Sequence, residues 1–188
     1  SAACCKLCDA PGPLHPCSHV IPQWMYDLLP MDGRRLRVAS SHEGEWEQRS
    51  PTGVYGSFVC HSCEGRFAVW DDYASTVLRQ KPSSTLNGWD FGQYDHGKLH
   101  RFYLSILWRM HACGHRFFET VDLAPHSRSL VDYLLHNDRT SMQDFEVVPT
   151  CSDHILSLGV MTPIAVQVEA VPYWQIYLPR FQALTKVS

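Results

Sequence analysis

Cys5-Lys6-Leu7-Cys8 and Cys60-His61-Ser62-Cys63 are two cysteine pairs with the same two-residue gap. Each pair can turn both of its sulfurs toward one ion, and four thiolates complete a tetrahedral zinc site with no open coordination position. Such an ion is structural. Cys4 can stand in for Cys5 by adjacency, although the spacing to Cys8 favours Cys5. Cys17 lies near the same region and reads as a spare buried thiol. Between the pairs runs Ser18-His19-Val20-Ile21-Pro22, where an imidazole sits at the head of an apolar stretch. Alone, a histidine there is a core or capping residue; held rigidly beside a cation or a phosphate, it is a general base.

The other candidates are weaker. His111 and His115 are four apart and would share a face of a helix, but the helix around them is core-like and no glutamate follows His111. Cys151 and His154 are close in sequence and lack an orienting partner. Asp71 and Asp72 read as the solvated face of a helix, and the six tryptophans read as core. Arg34, Arg35 and Arg37 form a basic cluster, with Arg49 and Arg66 beyond it, suited to phosphate contact.

Cys5-x-x-Cys8, Ser18-His19-Val20-Ile21-Pro22 and Cys60-x-x-Cys63-Glu64 together resemble the HNH (ββα-metal, treble-clef) endonucleases, closest to the endonuclease VII type with four structural cysteines. The resemblance spans about Cys5 to Phe67, a third of the chain. It implies a zinc-stabilised treble-clef lobe, His19 as general base, and a catalytic magnesium or manganese near Glu64 and Ser18. It also implies DNA as the partner, with Arg66 and the arginine cluster on its backbone. This sequence departs from the family at three points. Ser18 occupies the place of an Asp or His ligand, Glu64 follows the last cysteine in place of Asn or His, and Val54 to Val59 lacks the asparagine that orients the base. The alternative these departures leave open is a catalytically inactive treble-clef protein that binds a protein or nucleic-acid partner, for example in phage-host conflict.

Positioning these residues requires a framework, and the chain of 188 residues, 45% hydrophobic and 19% charged, has material for one sizeable core. A formal net charge of -3, made more negative by four thiolates on a divalent ion, gives no bulk attraction for nucleic acid. The chain opens on Ser1, as a processed terminus does, and has no basic-then-apolar leader and no apolar run of membrane-spanning length. Its cysteines therefore read as reduced and the protein as intracellular.

The first third is broken by Pro and Gly and needs a staple. Phe67, Trp70, Tyr73, Ala74, Val77 and Leu78 recur at helical spacing until Lys81-Pro82 stops them. A turn-rich stretch to Gly97 precedes a second helix over about Lys98 to Phe117, and a third spans about Ser127 to His136. Phe145 to Val148, Ile164 to Val168 and Trp174 to Leu178 read as strands. The expected class is α+β: a zinc-binding HNH-like lobe with its following helix over residues 1–82, then a helix-and-antiparallel-sheet body over 83–188.

Overall fold

The computed structural model describes residues 3–29, 36–39, 48–50, 53–85, 88–124, 126–136, 144–151 and 159–187. Its architecture is mixed helix and sheet, organised around one long helix. That helix, α3 (His96–Ala112), follows the short α1 (Gln23–Tyr26) and α2 (His61–Leu78) and precedes α4 (Ser127–His136). Nearly every residue of α3 from Leu99 to Ala112 is buried, so it is wrapped on all sides rather than lying on the core by one face. Asp95 caps it, its Oδ1 accepting the Lys98 N–H at 3.1 Å.

α3 ends at Ala112, short of the expected Phe117, because Gly114 takes a left-handed φ of 67° and a single 3-10 turn, Arg116–Phe118, follows. α2 begins at His61, inside the second cysteine pair, and packs along α3 through Phe67, Trp70, Ala74 and Val77.

Two short strands, β1 (Ser18–His19) and β4 (Tyr55–Gly56), pair antiparallel, with His19 opposite Tyr55. Between them in sequence lie β2 (Leu36–Ala39) and β3 (Gln48–Ser50). A small hairpin, β5 (Ser83–Thr85) with β6 (Gly88–Asp90), occupies the turn-rich stretch before α3. The C-terminal part supplies β7 (Phe145–Cys151), β8 (Val160–Val168), β9 (Val171–Leu178) and β10 (Phe181–Val187).

The main sheet has six strands in the order β3-β2-β8-β9-β10-β7. All its pairings are antiparallel except β2 with β8. β10 alternates buried and half-buried residues along its length, turning Phe181, Ala183, Thr185 and Val187 inward beneath α3. Two strands from the first third thus join the sheet built by the last third. Among the described residues no helix is long and apolar enough to cross a membrane.

Candidate metal centre and the histidine beside it

The first cysteine pair sits in a tight knuckle. Asp9 takes a left-handed φ of 58° and donates its N–H to the Cys5 carbonyl at 2.9 Å, while the Cys5 N–H reaches the Ala10 carbonyl at 3.0 Å. The knuckle is pinned to the rest by the Lys6 N–H on the Phe58 carbonyl, and by Lys6 Nζ on the Ala112 carbonyl at the C-terminal end of α3. The second pair is presented by a helix start, with Cys60 as N-cap of α2 and Cys63 one turn in.

These two devices bring the sulfurs of Cys5, Cys8, Cys60 and Cys63 within 4.8 Å of one another. Cys8 Sγ and Cys60 Sγ are 3.8 Å apart, far beyond a disulfide bond, and all the cysteines are free. Cys4 is exposed and outside the group, and Cys17 is outside it as well.

The thiols perturb one another. Burial acts to raise the Cys5 thiol, but backbone hydrogen bonds at Cys60, Cys8 and Leu7 outweigh it and bring it down to about 7. Cys63 is pushed strongly up, first by burial and then by the thiols of Cys8, Cys60 and Cys5. Cys8 is also raised overall: the Ala10 N–H lowers it, and burial and its Cys5 neighbour more than offset that. Four mutually opposed thiols are what a divalent cation relieves, because the ion turns each into a stabilised thiolate. The cluster can therefore hold a metal ion.

β1 carries Ser18 and His19 out of this region. Val20 and Ile21 behind them are fully buried and anchor the strand, and the Val20 N–H bonds the Val54 carbonyl at 3.0 Å. His19 is half-buried; its ring lies 6.0 Å from that of Tyr55, and among the described residues no hydrogen bond to either ring nitrogen is found. Ser18 is wholly buried with its Oγ unpartnered. Glu64, in the first turn of α2, has a buried Oε2 that is likewise unpartnered.

The backbone of His19 is held from α3. Arg109, only 1% exposed, donates from Nη1 to the His19 carbonyl at 3.3 Å. It also makes a two-pronged pair with the Asp71 carboxylate of α2, at 2.9 and 2.8 Å. Its remaining donors go to the Ser105 carbonyl and hydroxyl, and its guanidinium lies over the Phe67 ring, 4.9 Å from the centroid. Asp71 is therefore not on a solvated face, as its sequence context implied; it is the counter-ion of a buried arginine. The signal was present in Arg109 itself, a charge inside an otherwise apolar helix that requires a buried acceptor.

Other candidates are dispersed. His111 Nδ1 lies 3.0 Å from the Val121 carbonyl, and His115, beyond the end of α3, accepts the Phe117 N–H, so the two share no helical face and form no metal group. Arg66 is exposed on α2 and donates to the Leu135 carbonyl at 2.8 Å. Arg34, Arg35, Trp46 and His154 lie outside the described residues, as do the side chains of Arg37 and Arg49. Comparison of the chain with protein-family models, curated proteins and solved structures finds no match.

Proposed function

We propose that the protein is an HNH-type, metal-dependent endonuclease that hydrolyses phosphodiester bonds in DNA, its treble-clef lobe held by a structural zinc on Cys5, Cys8, Cys60 and Cys63. One observation carries the reading. His19 stands on a strand paired to β4, and β4 leads into the helix whose first turn bears Cys60 and Cys63. That is the strand, strand, helix order the motif resemblance implies, with the imidazole at the position of its base.

Zinc suits the cluster by softness and by size. Thiolates select zinc over hard cations, and about 3.8 Å separates two sulfurs in a tetrahedral site with bonds of about 2.3 Å. The Cys8 to Cys60 separation of 3.8 Å fits that spacing.

In the reaction, His19 takes a proton from the attacking water as the water approaches the phosphorus in line with the leaving oxygen. Glu64 and Ser18, each with a buried oxygen lacking a partner, are the residues to hold magnesium or manganese. When bound, that ion neutralises charge developing on the phosphoryl oxygens. Arg109 fixes the His19 main chain from behind, and Arg66, with Arg34, Arg35 and Arg37, takes the DNA backbone.

A second reading, a catalytically inactive treble clef that binds a protein or nucleic-acid partner, is favoured by one specific feature. The only charges fixed beside the His19 backbone among the described residues are Arg109 and Asp71, which already neutralise each other. Cleavage of supercoiled plasmid in magnesium, manganese or nickel separates the two. The endonuclease nicks DNA, and His19→Ala and Glu64→Ala abolish nicking at unchanged zinc content. Folded, zinc-loaded wild type that cleaves no duplex, branched or single-stranded substrate rejects the endonuclease in favour of the binding protein.

A further inference from the structure

A second feature of the molecule lies at the other end of α3 and does not depend on the nuclease reading. A cleft of about 580 Å³, within the size range of small-molecule sites, opens where the N-terminus of α3 meets α2 and α4. Its lining brings the cations Arg66, Lys98 and Arg101 together with the apolar side chains of Val69, Trp70 and Leu135. Among the described residues Asp95 is the only carboxylate lining it, and its Oδ2 lies 4.0 Å from Lys98 Nζ.

Arg101 is the informative residue. It is only 8% exposed, and its ring partner is Tyr133, over which the guanidinium lies 4.9 Å from the centroid. Among the described residues a single one of its five N–H donors is used, Nη1 on the Gly97 carbonyl at 3.2 Å, and Nε is buried with no partner. No carboxylate among the described residues pairs with it, in contrast to the saturated Arg109. A buried guanidinium with idle donors and no counter-ion is a costly arrangement unless an anion completes it.

The helix supplies the rest of an anion cradle. Asp95 Oδ1 occupies the Lys98 N–H, and among the described residues no acceptor is found for the first-turn amides of His96 and Gly97 at the positive end of the helix dipole. Gly97 is what keeps the cradle open. A Cβ there would lie 3.3 Å from Arg101 Nη1 and 3.4 Å from Asp95 Oδ1, in the space between helix amide and guanidinium.

We propose that this cleft binds a phosphomonoester of nucleotide size, with the phosphate on the Gly97 amide, Arg101 and Lys98 and the base or sugar against the apolar wall of Val69, Trp70 and Leu135. The phosphate can belong to a free nucleotide or to the 5′ end of a strand, two sources of one chemistry.

Titration calorimetry on the full chain, without added magnesium or manganese, tests this with adenosine 5′-monophosphate, adenosine, and a ten-nucleotide single strand with and without a 5′-phosphate. One AMP binds per chain and adenosine does not. Gly97→Ala, which favours the helix and so keeps the fold, weakens AMP binding by about tenfold, the scale of a lost hydrogen bond to a charged group. Asp95→Asn, which still caps the helix, tightens it by about threefold by removing the one opposing charge. A 5′-phosphorylated strand that binds tighter than AMP, with the same response to both variants, assigns the site to strand ends; AMP equal or tighter assigns it to free nucleotides. Folded wild type that binds neither AMP nor the 5′-phosphorylated strand at millimolar concentration overturns the proposal, as does binding that Gly97→Ala and Asp95→Asn leave unchanged.

Discussion

The thiol cluster and the surroundings of His19 stand on the same short framework, β1 with β4 and the first turns of α2, yet they are built on opposite plans. The cluster is complete in itself: four donors of one kind, within 4.8 Å, pinned by backbone hydrogen bonds and by Lys6 on the end of α3. The histidine side is not closed in this way: Ser18 Oγ and Glu64 Oε2 are buried without partners, and the saturated group next to His19 is the Arg109 to Asp71 pair that holds its carbonyl. A closed ligand set secures a fold and has no position left for substrate. Unsatisfied buried oxygens cost stability and call for an explanation, which the proposed cation would supply.

The largest effect should come from removing the proposed ion. A structural zinc in the cluster would stabilise the fold by on the order of 10 kcal/mol, so chelation or Cys63→Ser should then melt the knuckle, β1 with β4 and the start of α2. Circular dichroism and amide exchange measured during titration with a chelator would show it; protection of Val20 and Glu64 amides that survives chelation would place the stability elsewhere.

Next in size is the pair behind His19. Asp71→Ala strips the counter-ion from an arginine that is 1% exposed and should cost about 3 to 5 kcal/mol in urea unfolding. A loss below about 1 kcal/mol would mean that Arg109 relaxes to solvent and does not hold the strand.

A smaller loss is expected at the approach to β4. Gly53 has a φ of 77°, and a Cβ there would fall inside the buried Tyr26 ring, so Gly53→Ala should cost about 2 kcal/mol by overpacking. Chemical denaturation measures it, and an unchanged midpoint would show that Tyr26 yields.

The pH dependence sharpens the comparison from outside both regions. His100 of α3 is buried between the Tyr133 hydroxyl at 2.8 Å and the Phe145 carbonyl at 3.0 Å. Burial lowers its pKa against the Phe145 hydrogen bond, and the nearby His96 and Arg101 lower it further. The folded state therefore keeps it neutral. Its contribution is intact above the unfolded value of about 6.5 and declines as pH falls from there toward the depressed folded value. Midpoints measured from pH 8 to 5 should fall on the acid side in wild type, which separates acid loss of fold from acid loss of any His19-dependent activity. A flat profile would show that another group compensates.

The sequence carried some of this plainly. Ser127 to His136 is a helix with the expected ends, since Leu130, Tyr133 and Leu134 place one stripe inward and nothing competes locally. The two identical cysteine gaps likewise foreshadow one cluster, because a knuckle and a helix start each offer two sulfurs on one side. What stayed hidden depends on distant partners. β10 was not distinguished, since Ala183 and Thr185 blunt its alternation, and it is defined by β9 and β7 on either side. The parallel pairing of β2 with β8 joins residues more than a hundred positions apart, which no local pattern announces. Asp71 reads as a surface acid until Arg109, brought alongside by the packing of α2 on α3, makes it a counter-ion.

The most direct test of the account is plasmid nicking by zinc-loaded protein in magnesium or manganese, with wild type and His19→Ala compared at equal zinc content. An endonuclease with His19 as its base nicks in a metal-dependent way as wild type and does not nick as the variant. Equal nicking by both, or none by folded wild type, would contradict it.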